Sequence, residues 1–130
     1  MGIGNEEFGM KEDNPIQKKS YAFALRIVKL YRFLCEEKKE FVLSKQIVRS
    51  GTSVGPNVEE AIGGQSRKDF LSKMSIAYKE ARETHYWLRL LRDSDILDAK
   101  HAESLIEDCE ELLKLSGSII RTTKARSART

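Results

Sequence analysis

A chain of 130 residues, 40% hydrophobic and 33% charged, has the size of one domain and enough apolar side chain for a core without disulfides or a structural metal. Only two prolines and eight glycines interrupt it, a balance that disfavours a strand-and-turn protein and predicts long helices. The net charge is +3, but the last ten residues hold Arg121, Lys124, Arg126 and Arg129 and no acid; removing those four from 23 basic residues leaves 19 against 20 acidic ones, so the body is not a generally basic surface.

Residues 1–14 mix glycine with Glu6, Glu7, Glu12 and Asp13 without a period, and predict a flexible arm. They lack the charged-then-apolar pattern of a signal peptide, and no apolar run approaches the roughly 18 residues of a membrane span, so a cytoplasmic protein with no membrane partner is expected. Asn14 and Pro15 then form a cap and first-turn pair for a first helix running to about Lys39. Its core stripe is Ile16, Phe23, Ile27, Leu30 and Leu34; Lys18, Arg26, Lys29 and Arg32 lie on the far side and form a basic back.

A second helix begins near residues 41–44 and carries two stripes. Leu43, Ile47, Gly51, Val54, Val58, Ala61 and Ile62 make an apolar face, while Gln46, Arg49, Ser53, Asn57 and Glu60 make a polar one. Gly51, Gly55 and Pro56 are a poor set for an isolated helix, and a kink is expected over Thr52 to Pro56, with the glycines permitting close helix approach. The polar face is either a hydrated surface or an inter-subunit network in which Arg49 and Glu60 are paired and Asn57 is hydrogen-bonded.

Gly63 and Gly64 end that helix, and Ser66 with Asp69 resembles a capping box for a third. Phe70, Met74, Ala77, Ala81, Thr84, Leu88 and Leu91 keep a four-three alternation, the seam of a bundle. Ile76, Trp87 and Leu90 stand outside the seam and predict a second partner, which in so small a chain is another subunit. Lys68, Lys79, Arg82, Tyr86 and Arg89 interleave cations with a stackable ring on the solvent side and suit a nucleic-acid backbone; the competing reading is an ordinary solvated face.

Asp95 or Asp98 caps a fourth helix that runs to about Thr123, with Leu105, Cys109, Leu112, Ser116 and Ile119 inward and an acidic outer face. Four helices with short connections give an all-α, antiparallel up-and-down bundle over residues 15–123, followed by a basic tail at 124–130. No cofactor, metal site or catalytic group is expected: His85 and His101 lack the Glu-x-x-His spacing of a di-metal bundle, and Cys35 and Cys109 read as buried thiols. The glycine clusters lack the strand and the Gly-Lys-Ser/Thr of a phosphate loop.

Ser50, Ser53-Val54, Asn57-Val58-Glu59-Glu60-Ala61, Ser66, Asp69-Phe70, Ile76-Ala77 and Glu83 together resemble the pattern of the bacterial S23 ribosomal protein family, first noticed in intervening sequences of 23S rRNA genes. The resemblance covers about residues 18–120; Ala61 stands where the family has glycine, and Pro56 directly precedes Asn57. It implies a ring-like homo-oligomer, a pentamer, with a basic surface for RNA or DNA and no catalytic residues. The fold it implies is similar to the accessory protein of diversity-generating retroelements. Two functions follow: a non-enzymatic nucleic-acid or ribonucleoprotein role, or a protein-interaction adaptor without direct nucleic-acid contact.

Overall fold

The computed structural model describes residues 14–129, so the arm expected at residues 1–13 lies outside the described residues. Its helices are α1 (Pro15–Glu36), α2 (Leu43–Gly51), α3 (Val54–Ile62), α4 (Arg67–Asp93) and α5 (Ala99–Arg129). Among the described residues there is no strand. α2 and α3 together form the second corner of an antiparallel four-helix bundle. α1 packs on α2, α3 and α5, and α4 packs on α2, α3 and α5, which leaves α1 and α4 across the diagonal.

α1 starts where Asn14 Oδ1 accepts the Ile16 N–H at 3.0 Å, with Pro15 in the first turn. Its whole expected stripe, Ile16 to Leu34, is buried. The helix stops at Glu36, three residues before the expected Lys39, because Lys39 takes a left-handed φ of 53° that cannot continue an α-helix. On the far side Lys18, Lys29 and Arg32 are exposed as expected, but apolar residues stand among them. Arg26 lies across the surface to α5 and bonds Asp108 Oδ2 at 2.6 Å, while Tyr21, Leu25 and Val28, at four-three spacing, are 67%, 51% and 40% exposed. Cys35 is half-buried rather than buried, its Sγ 3.7 Å from Ser44 Oγ.

α2 is capped from a distance: the Glu40 carboxylate accepts the N–H groups of Val42, Leu43 and Ser44 at 3.1, 2.9 and 2.8 Å. Three otherwise orphaned donors of the first turn are thereby satisfied. Where the sequence predicts a kink, the helix is interrupted at Thr52 and Ser53, whose hydroxyls bond back to the carbonyls of Val48 and Arg49. Pro56 is the third residue of α3, where a backbone N–H has no intrahelical partner to lose.

α4 follows its sequence pattern closely. Ser66 Oγ accepts the Asp69 N–H at 3.1 Å, and all seven seam residues from Phe70 to Leu91 are buried. Thr84 alone is polar among them, and its Oγ1 bonds Ser50 Oγ at 2.8 Å across the α2–α4 contact. α5 continues to Arg129, six residues beyond the expected Thr123, so Lys124 and Arg126 ride on a helix. No helix among the described residues is long and apolar enough to cross a membrane.

Candidate nucleic-acid interface

Two groups of sequence-predicted residues can be located on this frame. The first is the polar face of the second corner. Arg49 bonds Glu80 Oε1 at 3.3 Å and pairs with Glu83, whose carboxylate also accepts the Trp87 indole N–H at 2.9 Å. The Arg49 guanidinium and the Trp87 N–H hold the Glu83 carboxyl below the usual glutamate range. Glu60 pairs with Lys73 of α4 at 2.9 Å, and Asn57 Nδ2 donates to the Ser53 carbonyl at 2.9 Å. Arg49, Glu83 and Trp87 therefore meet within one chain, Glu60 stands apart near the other end of the same antiparallel contact, and Gln46 is exposed. Charge pairing with α4 accounts for Arg49 and Glu60 within the chain.

The second group is the outer face of α4. Lys79 and Arg82 line a groove of about 510 Å³ between α4 and α5, and Arg121 and Lys124 line its other side. Its remaining lining is Ser75, Tyr78, Gly117 and Ile120, so four cations face one space without a carboxylate among the lining residues. A Cβ at Gly117 would stand 3.3 Å from Arg121 Nη1, the movable end of a long side chain, and 3.5 Å from Tyr78 Cε1, an ordinary contact, so glycine leaves room there without being required. Clustered cations with no local counter-charge raise the positive potential of a groove and attract a phosphate chain.

The face continues along α4. Arg82 and Arg89 share a second recess with His85, Glu110 and Leu113, and there the acid is engaged, since His85 Nε2 lies 3.0 Å from Glu110 Oε2. The Arg89 guanidinium sits 5.7 Å from the centre of the exposed Tyr86 ring, and the Trp87 ring meets Tyr86 edge-on at 5.1 Å. Lys68 is exposed near the start of α4 and does not line the groove. Sequence alone places Arg121 at the end of the fourth helix, Lys124 in a basic tail and Tyr78 outside the site. The signal that could have joined them was the spacing of Gly117, Arg121 and Lys124, which puts all three on one helical face.

The Cys109 thiol is committed to the core. Cys109 donates to the Ala81 carbonyl at 3.2 Å, and burial, with Glu110 and Asp108 nearby, pushes its thiol up to about 12. A thiol so held is not a nucleophile at neutral pH. Among the described residues, no group of three or more His, Cys, Asp or Glu side chains could hold a metal ion.

A family model described as "23S rRNA-intervening sequence protein" matches residues 12–118. The chain belongs to this family. Among solved structures it is similar to a protein of unknown function from the S23 ribosomal protein family of Bacteroides thetaiotaomicron VPI-5482, at 53% identity. That likeness covers 82% of this chain and 95% of the other, with a TM-score of 0.80. No curated protein matches the chain. Ser50, Ser53, Asn57, Glu60 and Glu83 each make a structural contact within the chain. Ser50 meets Thr84 in the core, Asn57 and Ser53 bond around the α2–α3 break, and Glu60 and Glu83 fasten α4.

Proposed function

We propose that the protein is a non-enzymatic, cytoplasmic, homo-oligomeric bundle that contacts RNA or DNA through the α4–α5 groove. The observation that carries this reading is the convergence of Lys79, Arg82, Arg121 and Lys124 on one space lined by no carboxylate. Arg89 and Tyr86 extend it with a cation and an exposed ring, the pairing that nucleic-acid surfaces use to hold phosphate and stack a base. The family name, which refers to 23S rRNA intervening sequences, agrees with an RNA-related setting.

Fluorescence anisotropy with labelled single-stranded RNA and duplex DNA at about 50 mM salt tests it. The variant K79A/R82A/R121A loses about tenfold or more in affinity while melting at the wild-type temperature, because these side chains are solvent-facing. Binding by the variant equal to that of the wild type would overturn the assignment of the groove.

Assembly is the second half of the proposal. Tyr21, Leu25 and Val28 give α1 an exposed apolar ridge, and Ile76 and Leu90, 38% and 36% exposed, give α4 another. These helices occupy opposite corners, so the two ridges face different directions. A head-to-tail contact between unlike faces generates a ring when its rotation closes, and the pentamer of the family resemblance is such a ring. An adaptor that docks a different protein on the Trp87 side is the alternative, and the same exposed Ile76 and Leu90 favour it.

A further inference from the structure

A cleft unrelated to the cationic groove lies at the end of the bundle where the last turns of α1 meet the α4–α5 connection. It measures about 460 Å³ and is lined by Arg26, Lys29, Leu30, Phe33, Lys38, Leu97, Asp98, His101 and Leu105. That volume is within the range of small-molecule sites. Its walls divide by chemistry. Leu30, Leu97 and Leu105, nearly buried, supply an apolar floor, and the Phe33 ring stands at the side.

The rim is cationic, and its charges are not all spent. Arg26 is held by Asp108 and by Ser104 of α5. Asp98, the single carboxylate in the lining, is occupied by His101, whose Nδ1 lies 2.6 Å away. Lys29 and Lys38 have no acidic partner within salt-bridge distance among the described residues; Lys38 Nζ instead sits 5.9 Å from the centre of the Phe33 ring. An apolar floor beneath unneutralised ammonium groups matches a ligand with an apolar body and one anionic head. A neutral apolar molecule would leave the lysines without a partner, and a small inorganic anion would leave the floor uncovered.

We propose that this cleft binds an amphipathic organic anion, with the apolar body on Leu30, Phe33, Leu97 and Leu105 and the anionic head between Lys29 and Lys38. The site is independent of the nucleic-acid reading, since it shares no residue with the α4–α5 groove. Head chemistry could be carboxylate, sulfonate or phosphate monoester, and all three satisfy the same two ammonium groups.

Isothermal titration of the full chain with decanoate, decyl sulfate and decanol, each kept below its aggregation limit, distinguishes these cases. Saturable binding of at least one anion, one per chain, is expected, with decanol weaker by about tenfold or more because the lysines gain nothing from it. K29E/K38E lowers the anion's affinity by a similar factor, and F33A lowers affinity for both anion and alcohol. The charge-reversed side chains are at the surface, and F33A, at a partly exposed position, gives a second reading if K29E/K38E melts early. Equal binding of decanoate and decanol, anion binding unchanged in K29E/K38E, or no saturable binding by either anion would each overturn the proposal. Decyl sulfate binding without decanoate binding would support it and identify the head as a tetrahedral oxyanion.

Discussion

A Cβ added at Gly51 would stand 2.8 Å from Ile27 Cγ1 and 2.9 Å from Cγ2, closer than side-chain carbons tolerate, and the branched Ile27 side chain is fully buried. At Gly55, one turn on, the nearest atom would be Ser20 Oγ at 3.7 Å, an ordinary contact. The expectation that both glycines serve close approach therefore holds at Gly51 alone. Gly51→Ala should cost about 1–3 kcal/mol through overpacking, whereas Gly55→Ala should be neutral or stabilising by up to about 1 kcal/mol through backbone entropy. Urea denaturation of both variants checks this, and a Gly51→Ala protein as stable as wild type would refute the contact. Glu40, by contrast, has a role that the helical pattern does not announce. Burial pushes its carboxyl up, but the N–H groups of Leu43, Ser44 and Val42 outweigh that and hold it below the usual glutamate range. A lowered folded-state pKa contributes stability that is present above the unfolded value, near 4.3, and is lost as pH falls through the folded one. Glu40→Ala should thus destabilise by about 1 kcal/mol at neutral pH, and the difference from wild type should shrink in acid; a gap that widens on acidification would contradict the cap.

At the scale of elements, α4 was legible in full and the second corner only in part. Phe70, Met74, Ala77, Ala81, Thr84, Leu88 and Leu91 repeat with one period and one partner surface each, so burial follows from spacing. α2 and α3 obey two requirements at once, since their apolar face continues through a backbone break. The break falls at Thr52 and Ser53, residues that can replace ladder bonds with their own hydroxyls, and Pro56 is accommodated as a first-turn residue of the new helix. Sequence alone leaves the polar face of this corner open between hydrated surface and subunit contact, because it does not show which helix lies opposite. With α4 antiparallel to it, Arg49 meets Glu80 and Glu83, and Glu60 meets Lys73. The candidate groove was half legible for the same reason. Lys79 and Arg82 follow from one helix's period, but their meeting with Arg121 and Lys124 depends on how far α5 continues beside α4.

For the whole molecule, the diagonal placement of α1 and α4 sets what assembly can be. If the α1 ridge of one copy docks on the α4 ridge of the next, Leu25→Asp and Leu90→Asp should each stop ring growth alone. An equimolar mixture of the two variants keeps one intact pair of faces, so sedimentation velocity should show dimers and nothing larger. Two variants that remain monomeric when mixed would contradict the head-to-tail contact. The ring would repeat the α4–α5 groove once per subunit and let several grooves follow one strand, a multivalent arrangement in which modest contacts add up. The most direct test of that groove is the slope of log binding constant against log salt for single-stranded RNA, measured for wild type and K79A/R82A/R121A. Phosphate contact at these residues predicts that the variant's slope is shallower by about 2, since each contact contributes about 0.7 on a single strand. Parallel lines for the two proteins would contradict it.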